Sequence, residues 1–406
     1  MKKKITMKNS NKTVTLEKGR ERLAKNHNPW VYSKAVKHIS DGISDGDTVA
    51  VLDYAGDFVA WAHYNGKSGI ALRLLDWDQA KFPDDNWLKE KVEAAVSLRK
   101  RILPENTGIF RLIFSESDML PGIVCDVFEK VGVLQISTPA FDRIKEPLAE
   151  IIAKTANLEA VYEKSDGDGR KIEGLPEKSG FLYGKQEFTK IVSRENNLFF
   201  EVDLLGQKTG FYADQRDNRR FFGEVARGEI LDICAFSGAF SVYALKNGAK
   251  HATLLDISKE SEALVRRNME LNSIDPSRYT FIKGDVFELL RKFAAEGKTF
   301  DSVVLDPPKL VPSNKYLEKG LRAYKDLNFN ALKLVKKGGV FATFSCSGAV
   351  TLADFRNVVA FAAHDAGREL RILRQLHQAP DHPIRVNAPE TEYLKGLLAE
   401  IPEFVI

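Results

Sequence analysis

From about Gly206 onward the chain alternates short apolar runs with amphipathic stretches, and this alternation constrains the fold more than any other feature of the sequence. The apolar runs have the length of buried strands, and each is followed by residues with helical spacing. They read EILDICA, HATLLDI, YTFIKGD, FDSVVLDPP and GGVFATFSCS. Strands joined by helices need crossover connections, which give a mostly parallel sheet with helices on both faces. The pattern therefore predicts a Rossmann-like α/β domain with its ligands at the carboxyl ends of the strands.

Two regions of different pattern precede this domain. Residues 14–77 contain short alternating segments separated by turn dipeptides such as Asn65-Gly66, which predicts a small β-barrel. A long helical stretch and a mixture of strands and helices follow, so a central α+β domain is expected. A chain of 406 residues is long enough for three domains. We expect them over residues 1–77, 84–205 and 206–406.

The composition excludes several other classes of protein. An apolar content of 44% excludes wholesale disorder. There is no run of 18 apolar residues, and the Lys-rich start is not followed by the apolar core of a signal peptide, so a cytoplasmic protein is expected. The three cysteines are far apart and the seven histidines form no HExxH motif, so we expect neither a disulfide framework nor a metal site.

The net charge of +4 is unevenly distributed along the chain. Residues 1–37 hold eleven basic and two acidic side chains, a net charge of +9, whereas the other 369 residues carry −5. Basic side chains interleaved with aromatic ones such as Trp30 are typical of RNA contact. A solubilising tail is the ordinary explanation for the first dozen residues. RNA contact is therefore expected from residues 18–37.

The first strand of the sheet domain ends in a turn that suits S-adenosylmethionine better than a dinucleotide. A pyrophosphate-binding turn has the pattern GxGxxG, but Cys234 and Phe236 stand where glycines would be needed. S-adenosylmethionine has no phosphates, so a turn that binds it does not need these glycines. Asp232 begins the turn, Asp256 ends the second strand in a position to accept both ribose hydroxyls, and Asp285 follows the third strand, near an adenine edge. A strand-end aspartate is often only a helix cap, and this alternative stays open.

The fourth and fifth strands end in the most specific strings of the chain. Asp306 begins the string Asp-Pro-Pro-Lys, whose two prolines fix a rigid turn against which a planar base can be held. Cys346 ends the fifth strand on the same rim, where a thiolate would be partly exposed. A lone cysteine is more often a core residue, and packing is the role expected of Cys125 and Cys234.

Several motifs together resemble the RlmI family of large-subunit (23S) ribosomal RNA cytosine-C5 methyltransferases. The resemblance covers almost the whole chain and is carried by LEKGRERLAKNHNPWVYSKAV, ESDMLPG, QKTGFYADQRDNR, DICAFSGAFS, DPPK, FSCS, QAPDHP and ETEYLKG. It implies an N-terminal PUA domain and a class I methyltransferase domain with a seven-stranded sheet. It also implies S-adenosylmethionine as the cofactor, 23S ribosomal RNA as the partner, and methylation of carbon 5 of a cytosine.

The resemblance assigns the nucleophile to Cys346, because most other RNA cytosine-C5 methyltransferases have Pro-Cys after the fourth strand and this chain has two prolines there. Asp306 is expected to stabilise the reacting base. The residues expected to bind the cofactor are Asp232, Cys234, Ala235, Phe236, Ser237, Gly238, Asp256, Asp285, Asp306, Gln207, Thr209 and Gly210. Those expected to contact RNA are Lys18, Arg20, Arg22, Trp30, Lys34, Arg216, Arg219 and Lys309.

Two alternative functions stay open at this point. Methylation of a guanine or adenine nitrogen would need no nucleophilic cysteine. A non-catalytic RNA-binding or ribosome-assembly factor on a methyltransferase scaffold would not need the strand-end aspartates, which this chain retains. The sequence gives neither the methylated nucleotide nor the oligomeric state, and it leaves a homodimer open.

Overall fold

The computed structural model describes residues 12–184, 189–206 and 210–403. Gln207 and Thr209, expected above to bind the cofactor, lie outside these residues. No helix in the described part of the chain is long and apolar enough to cross a membrane. The chain forms two compact units. The first comprises the described residues up to Ser193, those of Val202–Ala213, and Pro380–Thr391; the second comprises Arg194–Glu201, Asp214–Ala379 and the residues from Glu392 onward.

The first unit begins with a six-stranded sheet whose apolar side chains form a core of their own. The elements are β1 (Thr13–Leu16), α1 (Arg22–Lys25), β2 (Trp30–Tyr32), β3 (Val36–Ile39), β4 (Thr48–Leu52), β5 (Phe58–Tyr64) and β6 (Ile70–Asp76). The strand order is β2-β6-β5-β4-β1-β3. Alternate residues of β4 are buried, as expected for strands with one face on a core. This core holds Val14, Leu16, Val49, Val51, Leu72 and Leu74.

A mixed α+β region follows within the same unit. Its elements are α2 (Asp85–Ile102), β7 (Ile109–Phe114), β8 (Ile123–Phe128), β9 (Val131–Ile136), α3 (Pro139–Asp142), α4 (Lys145–Ala156), β10 (Ala160–Ser165), α5 (Asp168–Ile172) and β11 (Lys178–Tyr183). The sheet order is β11-β10-β9-β8-β7. The Asp84 carboxylate caps α2 by accepting from the backbone N–H groups of Asn86 and Trp87. Leu75 of β6 belongs to the core of this region, so the two cores meet at β6.

The remaining elements are a hairpin and the alternating strands and helices predicted from the sequence. They are β12 (Lys190–Glu195), β13 (Leu198–Asp203), α6 (Arg216–Val225), β14 (Glu229–Ile233), α7 (Ala239–Lys246), β15 (His251–Asp256), α8 (Lys259–Leu271), β16 (Tyr279–Lys283), α9 (Val286–Ala295), β17 (Phe300–Leu305), α10 (Leu317–Lys333), β18 (Val335–Ser345), α11 (Leu352–Asp365), β19 (Arg371–His377) and β20 (Lys395–Glu400).

The seven-stranded sheet of the second unit has the order β16-β15-β14-β17-β18-β20-β19. The first five strands in this order are parallel, and β20 is antiparallel to both of its neighbours. The strand order reverses between β14 and β17. The carboxyl ends of β14 to β18 therefore lie along one edge, and the switch point lies where β14 and β17 end.

Candidate active site

The turn after β14 has an unusual backbone for its side chains. Cys234 (φ 64°), Phe236 (φ 47°) and Gly238 (φ 69°) all adopt left-handed conformations, which non-glycine residues rarely do. Hydrogen bonds to the neighbouring strand compensate for this strain: the Phe236 N–H donates to Asp256 Oδ2 at 2.9 Å, and the Ala235 N–H donates to the Leu255 carbonyl at 3.0 Å. The turn is therefore fixed against β15.

Asp232 lies beneath this turn and is buried. Its carboxylate accepts hydrogen bonds from the Ser241 hydroxyl at 2.8 Å and from the Ser241 N–H at 3.2 Å, and Ser237, at the tip of the turn, is also buried. Burial disfavours the charged carboxylate and raises the pKa of Asp232 to about 7; the nearby Asp256 charge adds to this, and the Ser241 hydrogen bonds oppose it.

Four carboxylates are close enough to the Cys234 thiol to influence its ionisation. Burial raises the pKa of this thiol, and the charges of Asp256, Asp306, Asp232 and Asp285 raise it further. Such an environment repels a pyrophosphate and attracts a cation, and S-adenosylmethionine carries a positive sulfonium. The residues at this strand edge thus suit that cofactor and oppose a dinucleotide.

Asp256 and Asp285 differ in the hydrogen bonds that their carboxylates accept. Asp256 accepts one backbone N–H on each oxygen, from Phe236 and from Ser258 at 2.9 Å, and a carboxylate oxygen has room for a second donor such as a ribose hydroxyl. Asp285 is exposed and caps α9, accepting from the N–H groups of Phe287 and Glu288. The capping role considered for these aspartates is therefore present at Asp285.

Asp306 follows β17 on the other side of the switch point and is oriented by a neighbouring amide. The Gln215 Nε2 donates to Asp306 Oδ2 at 3.0 Å, and Asn218 Nδ2 donates to Gln215 Oε1 at 2.6 Å. Asp306 is half-buried, while Lys309, at the end of the Asp-Pro-Pro-Lys string, is exposed. The Gln215 contact was not anticipated from the sequence, although Gln215 belongs to one of the motifs quoted above.

Cys346 follows β18, the strand next to β17, and its side chain is half-buried. The serines on either side of it are fully buried. Ser347 Oγ accepts from the Val311 N–H at 3.1 Å and lies 3.0 Å from the Tyr324 hydroxyl. The segment that carries the thiol is thus held in place, while Cys346 itself is only partly buried. Cys125, expected to be a core residue, is fully buried. Its burial raises the pKa of its thiol.

Arg216 and Arg219 occupy different positions from those expected of RNA-binding residues. Arg219 is buried, and its guanidinium donates to both carboxylate oxygens of Glu195 at 2.8 and 2.6 Å. Arg216 is also buried and lies 3.2 Å from an oxygen of Asp217. Phosphates cannot reach guanidinium groups inside the fold, so neither arginine is included in the RNA contact proposed below.

Gly210, expected among the cofactor ligands, has a steric reason to be glycine. Its φ is +105°, and a Cβ atom there would lie 2.6 Å from Val202 Cγ1 and 2.7 Å from the Asp203 carbonyl oxygen. Any larger residue would therefore force the β13 backbone to move.

The expected RNA contacts of the barrel are mostly exposed. Lys18, Arg20, Arg22 and Lys34 all point away from the barrel core. Trp30 is an exception, because it is half-buried and its indole N–H donates to Glu116 Oε1 at 2.8 Å. Sequence reasoning missed Tyr54, an exposed ring with the ammonium groups of Lys37 and Lys18 at 4.1 and 5.9 Å from its centroid.

The fold and the strand-edge site define the class of protein as an S-adenosylmethionine-dependent methyltransferase with a class I sheet. A family model described as an S-adenosylmethionine-dependent methyltransferase matches residues 179–393, just over half of the chain. A second, described as a PUA-like domain, matches residues 14–77. These matches confirm the predicted fold class and cofactor.

The chain belongs to the ribosomal RNA large subunit methyltransferase I (RlmI) family. It is 38% identical over 392 residues to the "Ribosomal RNA large subunit methyltransferase I" of Pseudoalteromonas translucida, covering 96% of this chain and 99% of that one. The protein of the same name from Alteromonas mediterranea is 38% identical over 393 residues, with the same coverage. The resemblance drawn from the motifs is confirmed. None of these findings supports the homodimer that the sequence left open.

Solved structures agree with the fold over nearly the whole chain. A candidate S-adenosylmethionine-dependent methyltransferase from Streptococcus mutans superposes with a TM-score of 0.81 at 20% identity, covering 95% of this chain and 99% of its own. A methyltransferase structure containing S-adenosylhomocysteine gives 0.82 at 19% identity with the same coverage. At these identities the likeness concerns the fold.

Proposed function

We propose that this protein transfers the methyl group of S-adenosylmethionine to carbon 5 of a cytosine in large-subunit (23S) ribosomal RNA, through a covalent adduct of Cys346. The observation that carries the proposal is the position of the partly buried Cys346 at the end of β18, beside the strand end that carries Asp306. The printed names of the relatives, which refer to the ribosomal large subunit, support RNA as the substrate.

The chemistry of cytosine explains why a thiol is needed. Carbon 5 of the ring is a poor nucleophile, but addition of the Cys346 thiolate to carbon 6 converts the ring into an enamine that is nucleophilic at carbon 5. The cofactor supplies an electrophilic methyl group. Loss of the carbon-5 proton to a base then lets the C6–S bond break, which restores both the aromatic ring and the thiolate.

Asp306 is the residue proposed to assist the addition step. Negative charge develops towards N3 of the ring as the thiolate adds, and a hydrogen-bond donor or acid at that position lowers the barrier. Gln215 donates to one Asp306 oxygen and so fixes the orientation of the carboxyl group. The turn of Pro307 and Pro308, of which the first is buried, restrains the segment that follows.

The barrel is proposed to contact the RNA substrate. Its exposed cations, together with the Lys37–Tyr54 pair, offer both phosphate contacts and a ring for base stacking. Lys309 is exposed close to the Asp306 strand end, where it would contact a phosphate near the flipped-out base.

The Cys346→Ala variant tests the nucleophile. In the presence of S-adenosylmethionine, RNA carrying 5-fluorocytidine should trap the wild-type protein as a covalent complex, because after methyl transfer to carbon 5 the fluorine cannot leave as the C5 proton does. We expect a complex that survives denaturing electrophoresis with the wild-type protein, and neither this complex nor methyl transfer with Cys346→Ala. Cys125→Ala, which removes a buried thiol of the first unit, is the control and should form the complex.

Methyl transfer by Cys346→Ala at the wild-type rate would contradict the proposal and favour a guanine or adenine nitrogen as the target. Mass spectrometry of the nucleosides in digested product RNA identifies the modified base directly. Failure of the wild-type protein to bind S-adenosylmethionine in calorimetry would favour the alternative of an assembly factor.

A further inference from the structure

Lys395 is a buried cation whose position the proposed reaction does not yet explain. Lys395 is only 4% exposed, and lysine is rarely buried to this degree unless it is paired. The ammonium donates to the Ser347 carbonyl oxygen at 2.9 Å. Ser347 is the residue after Cys346, so the buried charge is bonded to the segment that carries the thiol.

The pairing of β18 with β20 also places Lys395 next to the segment that carries Cys346. In the antiparallel pairing of β18 and β20, Lys395 is opposite Ser345, the residue before Cys346. Lys395 is thus directly connected to both neighbours of the thiol, through the strand pairing at Ser345 and through the hydrogen bond at Ser347. It is also the first residue of β20, at the edge where the parallel strand β18 ends.

The electrostatics point in the same direction. Burial lowers the pKa of the Lys395 ammonium to about 8, with Lys309 contributing to the decrease and with Glu392 and the thiolate form of Cys346 opposing it. The last effect is reciprocal, because a thiolate that stabilises an ammonium is stabilised by it to the same extent. Below about pH 8 the amine is protonated and acts as a donor.

We propose that Lys395 is a positioning residue for the methyl transfer, holding the Cys346 segment through Ser347 and stabilising the Cys346 thiolate with its positive charge. The proposal rests on the proposed function only in taking Cys346 as the nucleophile. The thiol S–H bond breaks and its proton goes to water, the electron pair stays on sulfur, and the ammonium keeps its own proton.

Alkylation of the full-length protein tests this without RNA or cofactor. The rate of iodoacetamide reaction at Cys346, followed by peptide mass spectrometry from about pH 6 to about pH 10, gives the pKa of the thiol. We expect a wild-type midpoint below the ordinary value of about 8.5. Lys395→Met should raise the midpoint by about one unit or more, which reduces the thiolate fraction at neutral pH about tenfold, while Lys395→Arg should stay near the wild type.

Lys336→Met is the matched control, since Lys336 lies near the opposite end of β18, paired with Asp301, and its removal should leave the midpoint unchanged. A wild-type midpoint at or above about 8.5 would overturn the proposal even if Lys395→Met fails to fold. An unchanged midpoint in a folded Lys395→Met protein would also overturn the proposal and would mean that Lys395 has only a structural role. A shift seen while Cys346→Ala still methylates RNA would keep the activated thiol and reject the proposed function instead.

Discussion

At the scale of single residues, β14 carries, next to the turn that follows it, a carboxyl group whose charge depends on pH near neutrality. Asp232 is buried with Ser241 as its hydrogen-bond partner, and its pKa is raised to about 7. A positive ligand nearby favours the ionised carboxylate, so binding and ionisation are linked. Because its side chain is buried, we propose that Asp232 would act on a bound cofactor through its electric field and not by direct contact.

This linkage predicts how cofactor affinity changes with pH. Below about pH 7 Asp232 is largely protonated and neutral, and above that pH its carboxylate is charged and would attract the sulfonium of a bound cofactor. We expect S-adenosylmethionine to bind more tightly as the pH rises from about 6 to about 8, by a few-fold. Calorimetry in buffers with different ionisation enthalpies should detect proton release on binding.

The Asp232→Asn variant separates this effect from ionisation of the cofactor's own amine. The variant should bind more weakly than the wild type above pH 7 and lose the part of the pH dependence that belongs to Asp232. Identical pH profiles for the two proteins would show that Asp232 does not titrate in this range.

At the scale of secondary-structure elements, the position of β20 between β18 and β19 depends on one glycine. A Cβ atom on Gly396 would lie 2.4 Å from Cδ1 of the Phe344 ring and 3.0 Å from Leu376 Cβ. Phe344 is fully buried and belongs to β18. The missing side chain lets β20 pair closely with β18, and this pairing puts Lys395 opposite Ser345.

We therefore expect Gly396→Ala to destabilise the protein by about 1–3 kcal/mol through overpacking against Phe344. Chemical denaturation, with the midpoint and slope compared to those of the wild type, measures this change. Gly348→Ala is the control, because a Cβ atom at Gly348 meets no atom within 4 Å. Equal stability of the two variants would mean that the Phe344 ring moves aside at little cost.

At the scale of the whole molecule, positive charge is concentrated in the N-terminal region, and the proposed RNA contact is therefore local. Removing residues 1–77 is a poor test of that contact. Leu75 packs in the core of the central region, and Arg73 bridges Glu116 and Glu173 at 3.1 and 2.7 Å. Truncation would damage the rest of the first unit, so charge removal at the surface is the better experiment.

Neutralising the exposed barrel cations should weaken RNA binding without affecting S-adenosylmethionine binding. For every phosphate that is no longer neutralised, the slope of log K against log salt should decrease in magnitude by about 0.7 for single-stranded RNA. Fluorescence anisotropy with a ribosomal RNA fragment over a range of salt concentrations measures both the affinity and this slope. The substitutions, all to Gln, are at Lys18, Arg20, Arg22 and Lys34.

A control protein with four exposed lysines of the central region changed to Gln should keep the wild-type slope. These are Lys89, Lys154, Lys171 and Lys178. Equal reductions of affinity in the two proteins would indicate a general charge effect, and an unchanged slope in the barrel variant would place the RNA contact elsewhere.

The sequence by itself determined the order of elements, the parallel sheet and the strand ends that carry Asp232, Asp256, Asp306 and Cys346, because strand and helix periodicity and turn chemistry are local properties of the chain. The sequence also determined the family, because the motifs that identify it can be read directly from the amino-acid sequence. The placement of these residues on one edge follows from the topology alone.

Only the tertiary structure decided which charged side chains are buried, because burial depends on what distant segments pack against. The basic residues of QKTGFYADQRDNR suggested a phosphate contact, yet Arg219 is inside the fold with Glu195, a partner from the hairpin 24 positions away. Lys395 gave no local signal, and its contact with Ser347 spans 48 positions. Such pairings form when the sheet assembles, and no periodicity in the sequence records them.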